Sequence, residues 1–360
     1  MTFSAGTLQQ SIAANKFYPP CINQSQSILR HRIITDCIPA GIHSQKVMLI
    51  EAQAGQGKTT LVHQYLEHCG KPFVWYQIGC EDNDPVLLLS ALQLALARKI
   101  EDFSSPQLIA ILETSQIGPM DLRACANILL NDIETCLKED LFIVFDDLHL
   151  VHETPYTSQL IDYLVDTSPP RLHFILTSRR PLQLQAQALR KNPQLIYLDS
   201  QALELTIDEI KNFYASVLET PITQADAEEI LRLTNGWIMG IVLTTHLFNN
   251  KDRPAARKSS TDKYRVLTKD KSGFLLRYFE DEIFSHVPQL LHDIFLRLSF
   301  LDEIDIPLAR ELFMRDDIGE HLSRMADENF FVYRLDDENR VFRLHHLFQE
   351  FLQVRKSKSY

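Results

Sequence analysis

Two glycines two residues apart, followed by a lysine and two threonines, limit what this chain can fold into more than any other feature. The segment is Gly55-Gln56-Gly57-Lys58-Thr59-Thr60, in a chain with only 11 glycines. Before it stands Val47-Met48-Leu49-Ile50, a short apolar run that reads as a buried parallel strand. After it Leu61, Val62, Tyr65, Leu66 and Cys69 recur at helical spacing until Gly70 and Pro72 end the helix. Strand, glycine loop and helix in that order are the context of a phosphate-binding loop. The match to G-x-x-x-x-G-K-[ST] is complete except for Ala52 at the first glycine, which the loop accepts if that position needs no positive φ. The glycines let successive backbone N–H groups close around a phosphate, and the helix N-terminus adds its own donors. Ala54, Gly55, Gln56, Gly57, Lys58, Thr59 and Thr60 are therefore the candidate phosphate ligands. Lys58 is expected at the β- and γ-phosphates and the Thr59 hydroxyl on Mg²⁺. The alternative is a mere tight turn.

A second apolar run, Leu141-Phe142-Ile143-Val144-Phe145, closes on Asp146-Asp147. It fits a Walker B strand, with Asp146 holding Mg²⁺ and Asp147 orienting or deprotonating the attacking water. On its own it reads equally as a buried strand whose next loop residues are acidic. A third run, Leu172 to Leu176, leads to Thr177-Ser178-Arg179-Arg180-Pro181. Cationic groups at a strand's carboxyl end sit where ligands bind in open parallel sheets, so one of the two arginines is a candidate γ-phosphate sensor. The competing reading is a pair of solvated loop arginines.

With 360 residues, two or three domains are expected. Strand and helix alternate over the first 200 residues, which predicts an α/β fold with a parallel sheet. Thr206-Ile207-Asp208-Glu209 is a capping box opening a helical stretch to residue 248. Lys251 to Lys271 carries eight basic and three acidic residues and reads as an exposed linker. Helices around Leu290–Phe300, Pro307–Met314 and Ile318–Glu328, then a hairpin of Val332–Leu335 and Arg340–Leu344, suggest a winged helix. The expected division is 1–28 lead segment, 29–200 nucleotide-binding domain, 201–250 helical subdomain, 251–273 linker and 274–360 winged-helix domain.

A net charge of −11 argues against nucleic-acid binding by this segment. Its six cysteines form no C-x-x-C pair and read as thiols in a reducing compartment. No run of 18 uncharged apolar residues exists, so a cytoplasmic protein without membrane contact is expected.

Together these motifs resemble the STAND class of P-loop NTPases, specifically the nucleotide-binding and winged-helix portion of MalT-like, LuxR-family ATP-dependent transcriptional regulators. The likeness runs from Lys16-Phe17-Tyr18-Pro19-Pro20 through the glycine loop, Trp75, Glu81-Asp82-Asn83-Asp84-Pro85, Asp146-Asp147 and Thr177-Ser178-Arg179. It continues through Asn235-Gly236-Trp237 to Leu344-His345-His346-Leu347-Phe348-Gln349-Glu350-Phe351-Leu352. It implies ATP/ADP and Mg²⁺ as cofactors, Arg179 as the sensor and Arg30 as a looser nucleotide contact. Gly236 would stand beside an adenine-packing position that in relatives is proline and here is Ile238. In relatives a winged-helix histidine reaches the β-phosphate of ADP, and His345 matches it best; the other reading is a structural histidine at a domain interface. Helical repeats and a DNA-binding module normally follow, whereas this sequence ends at Tyr360, so it is either part of a longer chain or signals through another partner. The function implied is a slow ATPase switch that self-associates when ATP-bound under an unknown inducer. The alternatives are a conventional AAA-like ATPase and a non-enzymatic scaffold stabilised by nucleotide.

Overall fold

The computed structural model describes residues 12, 14–20, 27–38, 46–113, 119–151, 155–182, 195–242, 273–287, 289–328, 330–336 and 338–358. The basic stretch 251–271 lies outside them. Two compact units are distinguished. The first includes Leu29–Ala52 and Lys58–Ala202, the second Gln53–Gly57 and Leu203–Tyr360.

In the first unit, five parallel strands form one sheet in the order β2-β3-β4-β1-β5. They are β1 Val47–Glu51, β2 Phe73–Gln77, β3 Leu141–Asp146, β4 Leu172–Ser178 and β5 Leu195–Asp199. Every residue of β1, β3 and β4 is buried, the signature of a parallel sheet covered on both faces. Parallel strands need crossovers, and helices supply them. They are α1 Lys58–Cys69, α2 Pro85–Lys99, α3 Pro106–Leu112, α4 Pro119–Cys136 and α5 Pro155–Thr167. Asp84 caps α2, its carboxylate accepting from the Val86 N–H at 2.9 Å, and Pro85 occupies the first turn where no N–H is needed. The α/β fold expected from the alternation is therefore present. Because β4 lies between β3 and β1, the chain leaving β4 emerges between the ends of the other two strands. Glu51 is in register with Ser178, and Gln77 with Asp146, so these carboxyl ends finish level.

The second unit is mainly helical. Helix α6, Ile207–Asn212, opens on the reciprocal capping box of Thr206 and Glu209. Helix α7, Gln224–Thr234, opens on the same device at Thr223 and Asp226, and ends on Asn235 in the left-handed region. Helix α8, Phe274–Tyr278, precedes α9 Gln289–Leu298, α10 Ile306–Phe313 and α11 Ile318–Asp327. Strands β7 Val332–Arg334 and β8 Val341–Leu344 form the hairpin, and β6 Ile304–Asp305 adds a third antiparallel strand beside β8. The final helix, α12 His346–Lys358, packs Leu347, Phe348, Phe351 and Leu352 into the core. Strand β6 and helix α12 were not foreseen. The core is rich in rings: Phe279 lies 5.8 Å from Phe331 and 5.4 Å from Phe351 between centroids, within the range of favourable aromatic pairs.

Candidate nucleotide-binding site

The glycine loop follows β1 without a break in the sheet. The Ala52 N–H still donates to the Ser178 carbonyl at 3.1 Å, extending the ladder past the strand end. Ala52 has no positive φ and is fully buried, so its methyl group costs nothing there. Gly55 and Gly57 differ: their φ angles are +72° and +81°, where an L side chain is strained. A Cβ on Gly55 would also come within 2.6 Å of Met239 Cβ.

At the start of α1, Lys58 is buried and its Nζ donates to the Ala52 carbonyl at 2.6 Å. Burial lowers its pKa to about 8, with the Arg179 charge acting the same way and Asp147 and Asp146 opposing. The Thr59 hydroxyl donates to the Asp146 carboxylate, at 3.0 Å to Oδ2 and 3.3 Å to Oδ1. Two hard oxygen donors thus stand side by side at the helix start and strand end. That donor chemistry suits Mg²⁺, which takes one or two protein oxygens and completes its shell with phosphate and water.

Asp146 is almost fully buried, and burial first and Asp147 second push its pKa up to about 6. Hydrogen bonds from Thr177 and Thr59 work against that rise, as does the Lys58 charge. The Thr177 hydroxyl joins the acidic pair: it donates to Asp146 and accepts the Asp147 N–H at 3.0 Å. Asp147 itself has φ +63°, a left-handed conformation that aspartate tolerates better than most residues. Its Oδ2 accepts from Gln77 Nε2 at 2.8 Å, and His149 Nδ1 stands 3.7 Å from Oδ1. Burial, together with the Arg179, Lys58 and Arg180 charges, holds His149 neutral well below its ordinary pKa; Asp147 opposes. Of the two candidate arginines, Arg179 is the one whose charge reaches both Lys58 and His149. The turn that carries them is fastened at its far side: buried Glu51 accepts the Leu182 N–H at 2.7 Å and the Tyr197 hydroxyl at 2.9 Å.

Arg30 is buried, with its N–H donating to Gln64 Oε1 on α1 at 3.0 Å. Sequence reasoning missed Gln77, His149 and Glu51, and it named Thr177 only as part of the motif after the third apolar run. For His149 a signal existed, a histidine two residues after the acidic pair; Gln77 and Glu51 lack any local pattern.

In the second unit, residues 53–57 are held by the segment after α7. Trp237 Nε1–H donates to the Ala54 carbonyl at 2.9 Å and the Met239 N–H to the Gly55 carbonyl at 3.1 Å. Tyr333 on β7 is hydrogen-bonded to Gln53 and Asn235. Ile238 covers Gly57, its Cδ1 2.8 Å from where a Cβ would stand. Gly236, at φ +73°, is explained by backbone approach: its carbonyl accepts the Leu205 N–H at 2.9 Å, and a Cβ would lie 2.8 Å from the Leu205 carbonyl oxygen.

His345 is completely buried. Its Nδ1 accepts the Leu347 N–H at 3.2 Å, which puts the proton on Nε2, 3.1 Å from the Thr234 carbonyl. Burial lowers its pKa to about 4, and the Thr234 contact offsets part of that. Both nitrogens are thus engaged by backbone, the arrangement of a structural histidine.

Comparison with known proteins agrees with the motif resemblance. Residues 280–359 match the model of the MalT winged helix domain, and residues 24–179 that of the nephrocystin 3 N-terminal region. The chain is similar to the HTH-type transcriptional regulator MalT of Serratia proteamaculans, at 28% identity over 342 residues, and to that of Yersinia enterocolitica, at 26% over 341. Each alignment covers 93% of this chain and 36% of the relative, so the chain spans about a third of the length of the proteins it matches. Among solved structures, the Thermotoga maritima RuvB Holliday junction branch migration motor aligns at 14% identity and TM-score 0.38, covering 92% of this chain and 95% of its own. AMPPCP-bound DnaA from Aquifex aeolicus aligns at 12% and 0.36, covering 97% and 94%. Among the described residues, no helix is long and apolar enough to cross a membrane.

Proposed function

We propose that this MalT-like chain is the nucleotide-operated switch of a transcriptional regulator, binding ATP or ADP with Mg²⁺ and hydrolysing ATP slowly. The single observation that carries the reading is the Thr59 hydroxyl at 3.0 Å from the buried Asp146 carboxylate, beside a lysine whose ammonium is desolvated. Lys58 now donates to the Ala52 carbonyl and Asp146 accepts from Thr59 and Thr177, and a polyphosphate with its metal ion would add countercharge to both buried groups. When bound, Mg²⁺ would be held by Thr59 and Asp146 and would neutralise charge on the phosphates.

The chain's own residues supply the rest. Lys58 contacts the terminal phosphates, and Arg179 senses the γ-phosphate from the end of β4. Asp147, fixed by Gln77, orients the attacking water, and His149 beside it stays neutral. An aspartate rather than a longer glutamate at this position sets the base back from the water and favours slow turnover. ATP then promotes self-association, hydrolysis returns the chain to the ADP state, and an inducer shifts the balance by binding one state better. A direct His345 contact with phosphate is not part of this proposal, because both ring nitrogens already have partners.

The test is to denature the purified protein and identify what is released. ADP or ATP at close to one per chain is expected, with none from Lys58→Ala. Wild-type protein that carries no nucleotide and shows no binding of ADP or ATP with Mg²⁺ by calorimetry would overturn the reading.

A further inference from the structure

We infer that the Trp237 indole N–H is the positioning group for the phosphate-binding amides, and that it ties their aim to the packing of the winged-helix aromatic core. The inference rests on the nucleotide reading above and adds its regulation. A trans peptide is planar, so its C=O and N–H point in opposite directions. Pinning the Ala54 carbonyl on the indole at 2.9 Å therefore turns the Gly55 N–H the other way. Pinning the Gly55 carbonyl on the Met239 N–H at 3.1 Å does the same for the Gln56 N–H. Two fastened carbonyls, with positive φ at Gly55 and Gly57, fix the orientation of the Gly55 and Gln56 peptides, whose N–H groups are on this inference members of an anion nest.

The donor cannot move by itself. The Trp237 ring is 1% exposed, with centroids 5.1 Å from Phe331, 5.5 Å from His345, 5.7 Å from Phe279 and 5.9 Å from Tyr278. Gly240 leaves the space the ring fills, since a Cβ there would stand 2.6 Å from Trp237 Cε3. His345 in turn fastens the start of α12 to Thr234, three residues before the tryptophan. A rearrangement of the hairpin or of α12 therefore displaces the indole, and with it the amides that grip phosphate.

The experiment places 3-benzothienylalanine at residue 237, which keeps the ring shape and replaces the N–H by sulfur, with Trp237→Phe as a second variant. Release of fluorescently labelled ADP, competition by inorganic pyrophosphate and thermal melting are measured on all three proteins. The expected result is ADP release faster by roughly fivefold, the worth of one hydrogen bond, pyrophosphate affinity weakened by the same factor, and unchanged melting for the benzothienyl protein. Release within twofold of wild type in both variants would overturn the inference while leaving nucleotide binding standing. Weakened ADP with unchanged pyrophosphate would also overturn it, because the indole would then act on the base. Wild-type protein that binds neither ligand would bring down the nucleotide reading itself.

Discussion

Asp146 and His345 are both ionisable groups taken out of water, yet burial has opposite meanings for them. Asp146 lies among groups that compete for it: a second carboxylate raises its pKa while two hydroxyls and a lysine pull it down. His345 lies among rings, with one backbone donor and one backbone acceptor filling its capacity. The first arrangement is the one to which the proposed Mg²⁺ would bring countercharge. The second leaves nothing over, and holds two elements together instead. Burial alone does not mark a functional group; what separates the two is whether the surrounding partners already complete its bonding.

The largest effect that should separate the regions comes from Lys58→Ala. Nucleotide affinity is expected to fall on the order of 100-fold, as for loss of one partner of a buried charged contact, with unfolding free energy unchanged or slightly raised because a desolvated ammonium is removed. Calorimetry and urea denaturation check both halves, and a stability loss with intact binding would invert the comparison. His345→Ala should do the reverse. It removes a buried ring and the acceptor of the Leu347 N–H, and takes from the Thr234 carbonyl one of its two donors while the Trp237 N–H remains, at about 2–4 kcal/mol in denaturant unfolding.

The pH dependence should also split by region. The ordinary histidine pKa is 6.5 and that of buried His345 about 4. Between these values the unfolded chain takes a proton that the folded one refuses, so stability falls as pH drops from 6.5 toward 4, by up to ~1.4 kcal/mol per pH unit. Asp146 runs the other way: its pKa rises from 3.8 to about 6, so its contribution is present below 3.8 and lost as pH climbs through 6. Mg²⁺ needs the carboxylate ionised, so binding of Mg²⁺ and ADP near pH 6 should release a proton from Asp146. Calorimetry in two buffers of different ionisation enthalpy measures that proton, and Asp146→Asn should abolish it along with the Mg²⁺ dependence.

The smallest effect is expected from Ala52→Gly. Restoring the usual first glycine of the motif should leave nucleotide affinity within twofold and cost about 0.5–1 kcal/mol through added freedom in the unfolded chain. A large gain in affinity would show that the alanine strains the loop.

What could be read in advance follows the range of the interactions. Strands β1 and β3 open on unbroken apolar runs, and β4 on one interrupted only by His173, because both faces are covered; the glycine pair sits where positive φ is needed, so both were legible. Strand β5 carries an apolar run of its own, Leu195-Ile196-Tyr197-Leu198, but it lies at the sheet edge with Tyr197 43% exposed, and the reading of the sequence passed over it. The α7 and α6 starts are written locally in their capping boxes. The roles of Trp237 and His345 are not, because their partners lie 183 and 111 positions away in the chain. For His345 the sequence left two readings, a phosphate contact and a structural histidine, and its partners in the structure are the Thr234 carbonyl and the Leu347 amide.

The clasp on Ala54 and Gly55 also sets an order of events during synthesis. Residues 52 to 60 leave the ribosome long before Trp237 and Met239, whose N–H groups fasten the two carbonyls. Until that later stretch emerges and folds, the growing chain carries the motif without its fastening, and the two loop carbonyls gain their partners only when the segment beyond residue 200 has taken shape.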